Sequence, residues 1–347
     1  MAKPVQELLI KEAQRHLDNL TKPIGSLGML EAIAVKMSAI TGRVKPALPA
    51  KKRVYVFAGD HGVVAEGVSA YPAEVTAAMV ANFLAGGAAV NVFARHTGTE
   101  VLVVDAGVAS DLNPAPGLVI LKVGKGTRNF TQGSAMTRSD AECSLAYGEK
   151  LAQQAVGDKV GLIVVGDMGI GNTTTAAAVS VAFGFKVEEV LDIGTGIDQE
   201  GLKKKKEAVL KAIGLNKPNP NDPIDVLAKV GSYCFGEIAG LILGAVENGI
   251  PVVLDGFPTT AAALIAWKTN PRVTEHLFAG HLSAVKGHRI LLEAMGLKPI
   301  LNLQMRLGEG TGGVLATFII EAAIKMACEM ATFEEAAVAR GNEKAIE

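Results

Sequence analysis

The sequence predicts an α/β fold built on a mostly parallel sheet, and two observations lead to this prediction. Short apolar runs typical of buried strands alternate with longer segments in which apolar residues recur at helical spacing. The strand-like runs end in glycine and aspartate, which are common in the loops that bind ligands at one edge of such sheets. Because crossover helices join consecutive strands in the same direction, we expect a Rossmann-like parallel sheet with flanking helices.

The predicted elements follow in a regular order along the chain. Two helical segments come first, separated by a Gly/Pro loop at 21–28, and a linker with two prolines at 45–52 precedes the first strand. The predicted helices are 5–20, 29–41, 173–183, 259–267 and 311–330, and the predicted strands are 54–58, 101–104, 161–165 and 251–254.

A division into two domains follows from this order and from the length of 347 residues. Helical segments at the two ends of the chain enclose the part in which strands and helices alternate. We therefore expect a small, discontinuous helical domain formed by 1–48 and 311–347. The large Rossmann-like catalytic domain is expected to comprise 49–310.

Composition and charge exclude several classes of protein. The net charge of −1 gives no electrostatic reason to expect a nucleic-acid partner, and the 49% of hydrophobic residues excludes disorder. Charged residues interrupt the apolar stretches at 251–267 and 314–330, so we expect no membrane span. The three cysteines show no CxxC spacing, and the N-terminus lacks the apolar core of a signal peptide. We expect a cytoplasmic protein.

A glycine-rich loop at 166–175 lies between a predicted strand and an Ala-rich helix. Glycines allow backbone N–H groups to approach an anion, and the start of the helix adds a favourable dipole. The order of residues matches neither GxGxxG nor GxxxxGK[ST]. The loop therefore favours a phosphate site that is not specific for a dinucleotide or a P-loop triphosphate. The alternative is a tight structural turn in which Thr173 caps the helix.

Other polar segments carry weaker signals. A second glycine loop, at 194–198, precedes four consecutive lysines at 203–206, which by default form a solvated helix face. Asp60 and His61 end a strand, but no further His, Asp or Glu is spaced to complete a metal site, so we expect no metal. His281 and His288 flank Ser283, and histidines in such positions are more often structural than catalytic.

Among the carboxylates, Glu309 is the strongest candidate for a catalytic residue. It lies between two glycines just before the long C-terminal helix. A general base needs access for a substrate and apolar neighbours that raise its pKa, and this position offers both. The alternative is an acidic residue that only interacts favourably with the helix dipole.

Five groups of motifs, taken in order, resemble those of the nicotinate-nucleotide:dimethylbenzimidazole phosphoribosyltransferase family. They are LDNLTKPIGSLG at 17–28, GDHGV at 59–63 with GVSAYP at 67–72, GGAAVN at 86–91, MGIGNTT at 168–174 and RLGEGTG at 306–312. The resemblance runs from about residue 17 to residue 330, and its motifs are specific.

The resemblance implies a Rossmann-like large domain, a small helical domain from both termini, and a dimer. It also implies transfer of phosphoribose from nicotinate mononucleotide to an aromatic lower-ligand base of cobalamin, without a cofactor. The dimer is expected to be a homodimer or a heterodimer with a paralogous subunit. The alternative function is that of a catalytically weak or silent partner subunit in a hetero-oligomeric phosphoribosyltransferase.

The resemblance also implies roles for individual residues. Glu309 matches the catalytic base. The residues expected to bind phosphate and ribose are Asp167, Gly169, Gly171, Asn172, Thr173, Gly194, Thr195, Lys205, Gly256 and Ser283. The residues expected to form the base pocket are Tyr71, Met79, Met168, Leu307 and Gly308.

The chain departs from the family pattern at three positions. Tyr71 and Met79 occupy positions where benzimidazole-using members have serine and glutamine, and Asp167 stands where glutamate is common. Loss of a glutamine amide removes a hydrogen-bonding group, while methionine makes an adaptable apolar wall. We hypothesise a pocket that accepts other aromatic bases, including phenols. The alternative is that dimethylbenzimidazole is still preferred.

Overall fold

A computed structural model describes residues 7–192, 196 and 198–339. These residues form a seven-stranded sheet. The strands are β1 Lys52–Gly59, β2 Thr99–Gly107, β3 Leu118–Ile120, β4 Leu162–Met168, β5 Val252–Leu254, β6 Leu277–His281 and β7 Pro299–Leu301. Their order across the sheet is β3-β2-β1-β4-β5-β6-β7, and every pairing among these strands is parallel. This is a doubly wound Rossmann arrangement, so the predicted fold class is confirmed.

Helices connect and cover these strands. They are α1 Glu7–Asp18, α2 Met29–Thr41, α3 Val75–Leu84, α4 Ala89–Thr97, α5 Arg138–Gly157, α6 Asn172–Ala182, α7 Val187–Val190, α8 Gln199–Asn216, α9 Pro223–Val230, α10 Tyr233–Glu247, α11 Phe257–Thr269, α12 Lys286–Ala294 and α13 Thr311–Glu329. The helices predicted from the sequence correspond to α1, α2, α6, α11 and α13, and their described ends differ from the predicted ones by at most two residues. The predicted start of the first helix, at residues 5–6, lies outside the described residues.

The sheet is buried on both faces, as β1 illustrates. Val54 and Val56 belong to the apolar layer on one face, whereas Tyr55 and Phe57 belong to the layer on the other. Successive side chains of a strand point in opposite directions, so a continuous apolar run places a hydrophobic residue on each face. Helices α5, α6, α10 and α11 contribute to the layer that contains Tyr55, and α2, α4 and α13 contribute to the layer that contains Val54.

The helices from the two chain ends pack together. The side chain of His16 on α1 lies 2.7 Å from the carbonyl oxygen of Ala327 on α13. Ile320 on α13, however, shares an apolar layer with Val164 on β4. The C-terminal helix is thus part of the core that supports the sheet, and the division into two domains stays a prediction.

Two segments are long and apolar enough to cross a membrane by length and composition, 75–97 and 311–329. The first is interrupted at Gly86 and Gly87, between α3 and α4. The second is α13, whose most apolar window is 61% buried against the sheet and neighbouring helices. Both segments therefore pack as elements of the fold described above.

Candidate active site

A cavity of about 330 Å³ opens at the carboxyl ends of β4, β5 and β6. Its walls come from the loops that follow these strands, from the loop after β1 with the start of α3, and from the turn before α13. From β1 the chain adds strands β2 and β3 on one side of the sheet, and from β4 it adds β5, β6 and β7 on the other side. The boundary between β1 and β4 is therefore a topological switch point, where α/β proteins bind ligands. The fold therefore brings together loops that are up to about 240 residues apart in the chain.

Every predicted site residue that the structure describes lines this cavity. These residues are Tyr71, Met79, Asp167, Met168, Gly169, Gly171, Asn172, Thr173, Lys205, Gly256, Ser283, Leu307, Gly308 and Glu309. Gly194 and Thr195, which the resemblance also implies, lie outside the described residues. Their roles stay predictions.

Sequence reasoning missed several other lining residues. They are Val68, Ser69, Ala70, Val75, Ile170, Phe257, Pro258, Val285 and Arg306. Most of them lie within one or two residues of a predicted site residue or inside a quoted motif. The signal that could have found them was the position of each loop directly after a buried strand.

The glycine loop leads from β4 into α6. Gly171 is the N-cap of α6 and has a left-handed φ of 91°. The alternative in which Thr173 caps the helix is therefore wrong. A Cβ on Gly169 would lie 2.7 Å from Nε2 of His61, so only glycine lets the loop pass this close to the buried ring.

Lys205 is the one residue of the lysine run that faces the cavity. Its side chain is buried, and its Nζ donates a hydrogen bond of 2.9 Å to Oγ1 of Thr173. Burial lowers the pKa of Lys205 to about 8. Lys203 and Lys204 are exposed and Lys206 is half-buried, and all three pair with glutamates, as expected of a solvated helix face. A cationic group and a hydroxyl are thus held together at the cavity wall, an arrangement that suits a phosphate.

Asp167, at the end of β4, is almost fully buried. Its Oδ2 accepts a hydrogen bond of 2.8 Å from Nδ2 of Asn172 on α6. Burial raises the pKa of Asp167 to about 7, and the negative charge of Asp255 adds to this effect. Asp167 therefore fixes the amide of Asn172 in the glycine loop and is itself able to hold a proton near neutral pH.

Glu309 occupies a left-handed turn. Its φ is 64°, and the flanking Gly308 and Gly310 have φ values of 87° and 86°. A residue with a side chain is uncommon in this region, and such strain is concentrated at functional sites. Glu309 is only 6% exposed, and burial followed by the charge of Asp255 raises its pKa to about 7. The group is thus poised to accept a proton at neutral pH.

Ser283 is held by a buried histidine. The backbone N–H of Ser283 donates to Nδ1 of His288 at 2.9 Å, and Nε2 of His288 lies 3.0 Å from Oγ1 of Thr260. Since Nδ1 accepts a hydrogen bond, the ring proton is on Nε2 and is donated to Thr260. Burial lowers the pKa of His288 to about 3, so it stays neutral. This geometry fits the structural role expected for His288.

The strand-end pair Asp60 and His61 does not converge on the cavity. Nδ1 of His61 lies 2.9 Å from Oγ1 of Thr175, beneath the glycine loop, and burial lowers the pKa of this histidine to about 4. Asp60 instead accepts the backbone N–H of Ala109 at 2.7 Å. Within the described ranges, no group of three or more His, Cys, Asp or Glu residues could hold a metal ion.

An apolar set of side chains completes the cavity. Tyr71 and Leu307 are 53% and 52% exposed, although both are large hydrophobic residues. Met79 on α3 and Met168 at the end of β4 are partly buried behind the cavity. Exposed apolar groups at a cavity suit the binding of a flat aromatic molecule.

The fold and the site together define a Rossmann-like α/β protein whose cavity brings a buried carboxylate, a lysine and a glycine loop together. A family model described as phosphoribosyltransferase matches residues 2–338. The chain belongs to this phosphoribosyltransferase family, which confirms the resemblance found in the sequence.

Curated relatives and solved structures agree with this assignment. A nicotinate-nucleotide–dimethylbenzimidazole phosphoribosyltransferase of Geobacter sulfurreducens is 54% identical over 340 residues, which cover 98% of this chain and 96% of that protein. The protein of the same name from Thermus thermophilus is 50% identical over 331 residues, which cover 95% and 98%.

Two crystal structures of proteins from Thermus thermophilus have the same fold as this chain. One, described as the same phosphoribosyltransferase, has a TM-score of 0.92 and 48% identity, and the match covers 97% of this chain and 100% of that one. The other, described as CobT, has a TM-score of 0.93 and 50% identity, with coverage of 96% and 100%.

Proposed function

We propose that the chain transfers 5-phosphoribose from nicotinate mononucleotide to 5,6-dimethylbenzimidazole or a related aromatic base, including phenols. The products are nicotinate and the α-linked nucleotide that serves as lower ligand in cobalamin and related cobamides. The observation that carries the proposal is Glu309, a buried carboxylate at the cavity with a pKa of about 7. Membership of the phosphoribosyltransferase family supports the transferred group, and the names of the relatives supply the two substrates.

The leaving group needs little help from the protein. The ring nitrogen of nicotinate is cationic in the nucleotide, and it becomes neutral when the bond to C1′ breaks. A general acid is therefore unnecessary, and the step as proposed uses neither a metal nor a cofactor.

The incoming base is where Glu309 acts. A benzimidazole forms the new bond to C1′ through its unprotonated ring nitrogen, and its other ring nitrogen must then lose its proton. A phenol forms the bond through its oxygen, which itself loses the proton. The carboxylate of Glu309 accepts this proton, and a pKa of about 7 matches the task at neutral pH. Attack on the face opposite nicotinate converts the β-glycoside to the α form in a single displacement.

Lys205, Thr173 and Ser283 are the proposed anchor for the phosphate. The phosphate lies far from the bond that changes, so its binding energy can orient the ribose for attack. Lys205 provides a positive charge, and Thr173 and Ser283 provide hydroxyl groups at the same cavity. Buried hydrogen bonds to ionised groups of this kind are among the stronger polar contacts in proteins.

We further propose a cytoplasmic dimer. Val92 on α4 is 48% exposed and Phe318 on α13 is 58% exposed, and these helices pack side by side. Apolar side chains exposed on adjacent helices favour contact with another subunit. Analytical ultracentrifugation of the wild-type chain and a Phe318→Ser variant tests this assembly; two monomeric samples would contradict it.

Incubation of the purified chain alone with nicotinate mononucleotide and a panel of bases tests the activity. The panel contains dimethylbenzimidazole, phenol and p-cresol, with products identified by mass and the anomeric configuration determined by NMR. We expect an α-linked nucleotide and one equivalent of nicotinate. Absence of product with every base would contradict the proposal and favour the alternative of a silent partner subunit.

A further inference from the structure

The turn that carries Glu309 is held by a buried carboxylate on a neighbouring strand end. The backbone N–H of Gly310 donates to Oδ2 of Asp255 at 3.0 Å. The N–H groups of Gly312 and Gly313 donate to Oδ1 of the same residue, at 2.8 Å and 3.2 Å. These are free N–H groups at the N-terminus of α13, where a helix binds anions, and here the side chain of Asp255 occupies that position.

Asp255 is held in position by burial and by contacts of its own. It directly follows β5, its backbone N–H donates to Oγ1 of Thr259 at 3.1 Å, and it is 1% exposed. One of its carboxylate oxygens lies 3.5 Å from Nε2 of His281 at the end of β6. Burial acts to raise the pKa of Asp255, but the contacts from His281 and the backbone amides outweigh it and bring the pKa below its ordinary value. The carboxylate is thus ionised at neutral pH.

The strain in the turn makes this support necessary. Residues 308, 309 and 310 all have positive φ, and only two of them are glycines. A non-glycine residue in a sparsely populated backbone region costs roughly 1–3 kcal/mol and persists only where the surrounding structure enforces it. Asp255 accepts three hydrogen bonds from backbone N–H groups within four residues of Glu309.

We propose that Asp255 is a positioning residue for Glu309, holding its turn in the strained form that presents the carboxylate to the cavity. The inference rests on the proposed role of Glu309 as the base. Asp255 does not line the cavity; it acts through the backbone of the turn and through its charge. It is a role that the sequence did not assign.

Because Asp255 is charged, the proposal predicts a change in the pKa of Glu309 when Asp255 is replaced. Ionised Asp255 raises the pKa of Glu309, so replacing it with a neutral group lowers the pKa of Glu309. The other titratable or charged groups at the cavity or against Asp255 are Tyr71 before α3, Asp167 on β4, Lys205 on α8, His281 on β6, His288 on α12 and Arg306 before the turn. Asp255 also raises the pKa of Asp167, so Asp255→Asn is compared with its parent again in an Asp167→Asn background, where a shift of the acid limb reports on Glu309.

The test compares wild type with Asp255→Asn, in which one oxygen is replaced by an NH₂ group that faces backbone donors. A matched control is Asp105→Asn. Asp105 is also a buried carboxylate near a strand end, where its Oδ1 accepts the N–H of Val108 at 2.9 Å. We measure kcat against pH, the KM for nicotinate mononucleotide and the thermal unfolding midpoint of all three proteins.

For Asp255→Asn we expect kcat to fall on the order of 10- to 100-fold, because the base is misplaced. We expect the acid limb of the kcat profile to move to lower pH, with the KM for nicotinate mononucleotide changed less than about threefold. The control should leave the acid limb in place. If Asp255→Asn does not fold, Asp255→Ser, whose hydroxyl still accepts one hydrogen bond, is measured in its place.

An acid limb that stays at the wild-type pH would overturn the inference, as would an unchanged kcat. So would a loss confined to the KM for the nucleotide. The wild-type protein separates this result from a failure of the proposed function. If wild type makes no α-linked nucleotide, the function is wrong; if it does and Asp255→Asn behaves like wild type, only the role of Asp255 is wrong.

Discussion

The backbone of Gly166 in β4 lies directly against the backbone of Glu309. A Cβ on Gly166 in β4 would lie 2.6 Å from the carbonyl carbon of Glu309 and 2.6 Å from the nitrogen of Gly310. Atoms of folded proteins do not approach a Cβ this closely, so the turn that carries the proposed base can adopt its position only beside a glycine. The position of the turn that carries Glu309 therefore depends on the absence of a side chain at Gly166 in β4.

We predict that Gly166→Ala displaces Glu309 and lowers kcat on the order of 100-fold, since a shift of about 1 Å at a reacting group can cost this much. Overpacking is also expected to lower stability, by about 1–3 kcal/mol. Steady-state kinetics and thermal unfolding of the variant measure the two effects.

The control for this substitution is Gly214→Ala on α8. A Cβ at Gly214 meets no atom within 4 Å, so the change leaves turnover intact and, within a helix, adds slightly to stability. Equal turnover in Gly166→Ala and Gly214→Ala would show that the contact between β4 and the turn is irrelevant to catalysis.

We predict that kcat rises with pH through about 7, because Glu309 must lose its proton before it can accept one from the base. The pKa of Glu309 is raised in the folded protein, so below this value most molecules carry a protonated, inactive carboxyl. A pH series with saturating substrates gives the midpoint, and Glu309→Gln should abolish most turnover at every pH without loss of folding. A profile with an acid midpoint near 4.5 would place an ordinary exposed carboxylate, or another group, in the rate-determining step.

Lys205 carries a separate prediction for substrate binding. Lys205→Ala should raise the KM for nicotinate mononucleotide by about tenfold to a hundredfold, the usual loss for a buried hydrogen bond to a charged group, with a smaller effect on kcat. Lys203, which is exposed and lies 3.9 Å from Glu207, provides the matched control in Lys203→Ala. A KM that responds equally to both substitutions would argue against a specific phosphate contact.

The pKa of Lys205 gives this contact a pH dependence of its own. Burial lowers this pKa to about 8, so the free protein loses the positive charge as the pH rises past that value. Affinity for the nucleotide phosphate should therefore weaken from about pH 8 upward in the wild type. Calorimetric titration at several pH values measures this trend, and the Lys205→Ala variant should not show it.

The fold was largely predictable because the sequences of β1, β2, β4 and β5 are apolar runs that are followed by glycine or aspartate. The strands β3 and β7 could not be predicted from pattern, since each has three residues and neither is fully buried. In β6, glycine and histidine shorten the apolar run, although all five residues are buried. The sheet, rather than local preference, determines these strands.

Part of the candidate site could likewise be predicted from the sequence, and part could not. Glu309 and the glycine loop could be found from sequence because glycines around a polar residue mark a constrained turn. The role of Asp255 could not, because its partners are backbone amides 55–58 residues further along the chain. Likewise, sequence does not distinguish Lys205 from its three neighbours; only the orientation of α8 buries it against Thr173.

The last prediction concerns the choice of base. Met79 on α3 lines the cavity without a polar group, at the position where the family resemblance implies glutamine in benzimidazole-using members. No group of Met79 therefore favours an imidazole ring over a phenol. Met79→Gln should therefore shift the ratio of kcat/KM for dimethylbenzimidazole over p-cresol upward by about three- to tenfold, the usual range for one hydrogen bond. Competition between the two bases in one reaction, with products separated by mass, measures this ratio directly. Ala78→Gln places the same side chain one residue away, at an exposed position outside the cavity, and should leave the ratio unchanged. If the wild type already rejects phenols as strongly as Met79→Gln does, the pocket is selective for benzimidazoles by other means and the hypothesis of a broader base range is wrong.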